Sequence, residues 1–197
     1  TGPQTLTRPL AARVAHLPVP AEPAIAPPVP AGVAAAAEAA LQAGKTHYTD
    51  RPGILPLREF AVTWLSRHYG LALSPDAVTI TIGATEARFV CVKQLVAEQT
   101  GIAVTRPRPG IASAAELINA PIVTTVNDPA LISATYLAPD DATGDFAPLL
   151  AMAATYGWWV IWDTSVAEHP GTFHPAQDPN LAPQVITLGS LSEFLPG

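Results

Sequence analysis

The feature that most constrains this chain is an alternation of short apolar runs with helical segments. Val78, Ile80 and Ile82 alternate with Thr79 and Thr81, which predicts a strand. Further apolar runs of strand length fall at residues 102–105, 121–126, 132–137, 158–162 and 185–188. Between them, residues 84–99 predict a helix carrying Phe89, Val92, Leu95 and Val96, and residues 145–156 predict another, ended by Gly157. Strands that read as continuous apolar runs are buried on both faces. Interleaved with helices, they imply an α/β domain: a mostly parallel sheet with helices on both faces. In such a sheet ligands bind beyond the carboxyl ends of the strands.

The N-terminal part obeys other rules. Residues 1–31 contain Pro3, Pro9, Pro18, Pro20, Pro23, Pro27, Pro28 and Pro30, which forbid a continuous helix or a central strand. This predicts an extended Pro-rich arm over residues 1–31 and one α/β domain over 32–197. The alanine-rich stretch 32–43 predicts a helix closed by Gly44. Residues 55–69 predict a second helix, with Leu57, Phe60, Ala61, Trp64 and Leu65 on one face and Gly70 at its end.

Charge narrows the partners. Only 13% of the 197 residues are charged, against about 25% in an average soluble domain. A surface short of charge predicts a protein partner or self-association. The net charge of −6 excludes nucleic acid as the expected ligand. No apolar run reaches the roughly 20 residues of a spanning helix, and no signal peptide is expected, so the expected location is cytoplasmic. Cys91 stands alone, which rules out an internal disulfide, and its apolar neighbours predict a core thiol. His169 and His174 flank Pro170-Gly171 and share no helical face, so no metal is expected. Trp158, Trp159 and Trp162 are expected in the core and at an interface.

Five features occur in order along residues 46–89: Tyr48, Gly53, Leu57-Arg58, Tyr69-Gly70 and Gly83-Ala84-Thr85-Glu86-Ala87. Together they resemble the large domain of the class I/II, fold-type I aminotransferases, which use pyridoxal phosphate. The resemblance is good over residues 28–96 and looser over 132–197. It implies cofactor-binding positions at Gly83, Ala84, Thr85, Asp141, Asp163 and Ser190. Gly83, Ala84 and Thr85 would present a helix N-terminus to the phosphate, where unpaired N–H groups and the helix dipole favour an anion. Asp163 would face the ring nitrogen, and Tyr48 would reach the cofactor phosphate of a neighbouring subunit.

The resemblance breaks at the residues that carry the chemistry. The family's Ser-x-Ser-Lys is Ser190-Leu191-Ser192-Glu193 here, so Glu193 stands where the cofactor-anchoring lysine belongs. Asp141 replaces an asparagine that donates to the cofactor, and an ionised Asp can only accept. Val166 replaces a tyrosine, and the family's smaller C-terminal domain has no counterpart. Each of Glu193 and Asp141 would repel an anionic cofactor by up to roughly 4 kcal/mol at about 4 Å. The expectation is therefore a non-catalytic, truncated, aminotransferase-like pseudoenzyme. It would serve as a structural or interaction subunit of a homo- or hetero-oligomer, with no catalytic residue and no cofactor. Two alternatives stay open: a pyridoxal-phosphate-dependent aminotransferase, whole or completed by a partner chain, and a small-molecule or phosphate-binding module.

Overall fold

The computed structural model describes residues 29–139, 145–166 and 171–191. Nearly all of the expected N-terminal arm lies outside them. The chain divides into two units after Lys45. The described part of the first is one helix, α1 (Ala31–Gln42), within a residue of expectation and with no buried side chain. Its alanines supply helix propensity, and Gln42 Nε2 donates to Glu38 Oε1 one turn back at 3.0 Å.

The second unit opens with α2 (Leu55–Tyr69), which has the expected bounds. A proline in its first turn costs no helical hydrogen bond, and Gly70 closes it in the left-handed conformation at φ 72°. Its expected apolar face is only partly covered, and Phe60 remains 45% exposed. Arg58 on the same helix is buried. It donates from Nε to Gly53 O at 3.1 Å and from Nη1 to Pro75 O at 2.9 Å. It also pairs with Asp76 at 3.2 Å, so one guanidinium ties two loops to α2.

Residues 78–82 do not form the expected strand. Their alternation is strand-like, but no ladder neighbour lies beside them. The Ile80 N–H instead donates to Pro52 O at 2.9 Å. Helix α3 follows (Gly83–Leu95) and stops four residues short of the expected end at 99. Val96 leaves it with extended backbone, and the Ala97 N–H turns to Ser133 Oγ at 3.2 Å.

The sheet is built from β1 (Gly101–Val104), β2 (Ile122–Val123), β3 (Ile132–Leu137), β4 (Trp159–Asp163) and β5 (Val185–Leu188). Its order is β2-β1-β3-β4-β5 and every pairing is parallel, as the alternating pattern predicts. The run expected over 121–126 pairs only through Ile122 and Val123. Helix α4 (Pro109–Glu116) was not expected. Pro109 sits at a first-turn position that suits it. Helix α5 (Ala147–Tyr156) ends at Gly157, as expected.

Side-chain alternation sends each strand to two cores. On one face Ile102, Val104, Tyr136 and Ile161 pack with Val92 of α3 and Ile111 of α4. On the other, Ala103, Leu137, Val160 and Trp162 pack with Leu150 and Ala153 of α5. Trp158 and Trp162 are in the core as expected, whereas Trp159 is 36% exposed. No helix among the described residues is long and apolar enough to cross a membrane.

Candidate functional site

A cleft of about 310 Å³ opens between the apolar side of α2, residues 79–81, the start of α3 and the end of β5. Trp64 and Leu65 form an apolar wall, and Thr81, Gly83, Ala84 and Ser190 bring polar groups and backbone to its other side. Thr164 and Thr187 also reach it, so the cleft lies by the carboxyl ends of β4 and β5. That is where an open parallel sheet places ligands.

The start of α3 is built for close approach. Gly83 has φ 78°, a conformation that costs glycine little and any other residue strain. Thr81 Oγ1 donates to Gly83 O at 2.9 Å, and the Ile82 N–H donates to Glu86 Oε2 at 2.5 Å. These bonds hold the turn so that Gly83 and Ala84 line the cleft with the positive end of a 13-residue helix behind them. Thr85 is exposed beside them. Ser190, half-buried after β5, lines the same cleft. Gly83, Ala84 and Ser190 thus share one cleft, which Thr85 and Asp163 do not line.

Asp163 ends β4, is fully buried, and is surrounded by donors. Its Oδ1 accepts from the Ser165 N–H at 3.0 Å and from Ser165 Oγ at 2.5 Å. Its Oδ2 accepts from Tyr136 Oη at 2.6 Å and from Arg88 Nε at 2.6 Å. For Arg88, burial opposes the charged form, but the hydrogen bond and negative charge of Asp163 outweigh it and raise the pKa. Burial, with the Asp163 charge second, likewise pushes the Tyr136 hydroxyl well above its ordinary value, so it remains a donor.

Arg88 is the residue that sequence reasoning missed. A signal exists: Arg88 lies one turn before Val92 on α3, and both are buried on the same side. Tyr48 is fully exposed, apart from the cleft. Asp141 and Glu193 lie outside the described residues, as does His169. His174 is buried and holds no metal partners; no cluster of metal-ligating side chains occurs among the described residues. Cys91 is half-buried, and burial with the nearby Asp163 charge pushes its thiol up to about 11.

The comparisons bear on the fold. An aspartate aminotransferase of Pyrococcus horikoshii is 37% identical over 87 residues, covering 44% of this chain and 22% of that protein. A probable aspartate aminotransferase of Methanocaldococcus jannaschii is 36% identical over 84 residues, covering 43% and 22%. Among solved structures, N-succinyldiaminopimelate aminotransferase of Mycobacterium tuberculosis superposes with TM-score 0.74 at 22% identity, covering 85% of this chain and 51% of that one. YbdL of Escherichia coli, described with a methionine aminotransferase function, gives TM-score 0.72 at 20% identity, covering 84% and 51%. No protein-family model matches. The chain therefore has the fold of the fold-type I aminotransferase large domain and is aminotransferase-like. Its matched segments span about a fifth of the curated relatives and about half of the solved ones.

These relatives correct one expectation. They are named aminotransferases, a class of enzymes that uses pyridoxal phosphate, which points to that cofactor rather than to none. The lining is of a kind that suits the phosphate end of such a group: a helix N-terminus with a glycine at positive φ and a serine share it with apolar side chains. The lining of the cleft contains no lysine.

Proposed function

We propose that this chain is the phosphate-holding part of a pyridoxal-phosphate-dependent aminotransferase, completed by a further polypeptide segment that supplies the anchoring amine. The observation that carries the reading is the cleft itself, which Gly83 and Ala84 at the start of α3 line together with Ser190. The fold and the identity to two aspartate aminotransferases support it. They speak for an aminotransferase over a purely structural subunit. When bound, pyridoxal phosphate supplies an electron-withdrawing ring that stabilises negative charge on a substrate carbon.

The residues of this chain have simpler tasks. The N-terminus of α3 and Ser190 hold the phosphate. Trp64 and Leu65 exclude water from one side of the bound group. The anchoring amine comes from elsewhere in this reading, since the resemblance puts Glu193 in its place and the lining of the cleft contains no lysine. A neighbouring subunit is a natural source, and the fully exposed Tyr48 is available to reach one.

Calorimetric titration tests the reading. Pyridoxal phosphate is expected to bind at least tenfold more tightly than pyridoxal, a gap of about 1.4 kcal/mol. Ser190→Asp, which sets a negative charge against the phosphate, is expected to erase that gap. Equal binding of the two compounds by the unaltered chain would refute the proposed phosphate site.

A further inference from the structure

Thr187 on β5 lines the cleft with Gly83, Ala84 and Ser190. Its Oγ1 lies 2.9 Å from Nε2 of His174, a residue behind the lining. The direction of that bond is fixed from the far side of the imidazole. The Ala176 N–H donates to His174 Nδ1 at 3.1 Å, so Nδ1 carries no proton. His174 is fully buried, and burial pushes its pKa down to about 4, so at pH 7 the ring is neutral with its one proton on Nε2. Nε2 is therefore the donor and Thr187 Oγ1 the acceptor. The imidazole is held in place by the rings of Tyr69 and Trp162, with centroids at 4.7 and 6.1 Å. A hydroxyl that accepts still has its own proton to give. Two other threonines of the lining have placed theirs: Thr164 Oγ1 donates to Leu188 O at 2.8 Å, and Thr81 Oγ1 to Gly83 O at 2.9 Å. For Thr187 the bond from His174 is the one the hydroxyl makes among the described residues, and its proton has no acceptor there.

We propose that Thr187 donates its hydroxyl proton to a phosphate oxygen of the ligand in the cleft, and that His174 is the positioning residue that fixes this polarity. This rests on the functional reading above. The open space that Thr187 borders is the cleft, so a partner for its proton comes from what the cleft holds. The uncommitted proton calls for an accepting oxygen. The positive end of α3 on the same cleft favours an oxygen that carries negative charge, and a hydrogen bond to a charged acceptor is the stronger kind. The bond from His174 also polarises the hydroxyl and makes it a better donor.

Calorimetric titrations with pyridoxal phosphate and pyridoxal test the assignment. Thr187→Val keeps the shape of the side chain and removes the hydroxyl. It is expected to weaken pyridoxal phosphate about tenfold and to leave pyridoxal within about twofold. Thr187→Ser keeps a hydroxyl and is expected to stay within about threefold of the unaltered chain for both compounds. A Thr187→Val chain that binds pyridoxal phosphate as tightly as the unaltered one would overturn the proposal. Should Thr187→Val fail to fold, the nitrogen-15 and proton resonances of His174 in the unaltered chain decide. Nε2 is expected to carry the proton, and that proton is expected to move downfield as pyridoxal phosphate is added, because a hydroxyl that donates becomes a stronger acceptor. A resonance that pyridoxal phosphate leaves in place, or a proton on Nδ1, would end the assignment. Equal binding of pyridoxal phosphate and pyridoxal by the unaltered chain would instead bring down the functional reading, and this inference with it.

Discussion

Acidification from pH 7 to pH 5 acts on this fold through His174. The ring is fully buried, against the rings of Tyr69 and Trp162. Its Nδ1 accepts from the Ala176 N–H at 3.1 Å, so the proton of the neutral ring sits on Nε2 and donates to Thr187 Oγ1 at 2.9 Å. A second proton would have to enter at Nδ1, facing an N–H, in a site buried away from solvent. Burial accordingly pushes the His174 pKa down from 6.5 to about 4. A base whose folded pKa is depressed stabilises the fold fully above its unfolded pKa, and that contribution is lost as pH falls. The window here runs from about 6.5 down to about 4. Integrated, the loss is about 2 kcal/mol between pH 7 and 5 and about 1 kcal/mol more by pH 4. Carboxylates titrate nearby, so the assay is urea unfolding of the unaltered chain and of His174→Gln at pH 7, 6, 5 and 4. The amide of Gln can replace both hydrogen bonds but does not ionise. The gap between the two stability curves is expected to change by about 2 kcal/mol from pH 7 to 5. Curves that stay parallel would refute the argument.

Two further outcomes follow from local geometry. Gly53 has φ 93°, and a Cβ there would fall 2.5 Å from Ile80 Cγ1 and 2.7 Å from Ile80 Cβ. Gly53→Ala is therefore expected to cost about 3 kcal/mol in denaturant unfolding, from strain and overpacking together, and a change within experimental error would show the loop to be compliant. With its thiol pushed up to about 11, Cys91 is expected to react with a disulfide reagent at pH 8 about a hundredfold more slowly than free cysteine. A rate matching the free amino acid would place it outside the core.

The local elements were legible where a short-range rule governs them. Helix α2 begins and ends where its proline and Gly70 say it should, because both act through their own backbone. Runs 132–137 and 185–188 became β3, which is almost wholly buried, and β5, a partly buried edge strand, because β-branched and apolar residues suit a strand packed on both faces. Gly83 could be read as a turn residue at a helix start, because the positive φ there suits glycine.

The misses have the opposite character. Residues 78–82 carry a strand's alternation, yet pairing requires a neighbour, and no local pattern supplies one. The end of α3 was set by Ser133, 36 residues away, which captures the Ala97 N–H. The pairing of Arg88 with Asp163 spans 75 residues, and nothing in the sequence around either residue names the other.

By itself the sequence determined the α/β class with its parallel sheet and the glycine-marked helix start, since each depends on composition and spacing within a few turns of chain, and its ordered motifs carried the resemblance to aminotransferases. Only the tertiary structure decided that Asp163 is filled by Arg88, Tyr136 and Ser165 and that the cleft lies between α2 and the end of β5. Hydrogen-bond saturation and cleft shape belong to groups brought together by folding, and no one-dimensional pattern encodes which distant donor reaches a given acceptor first.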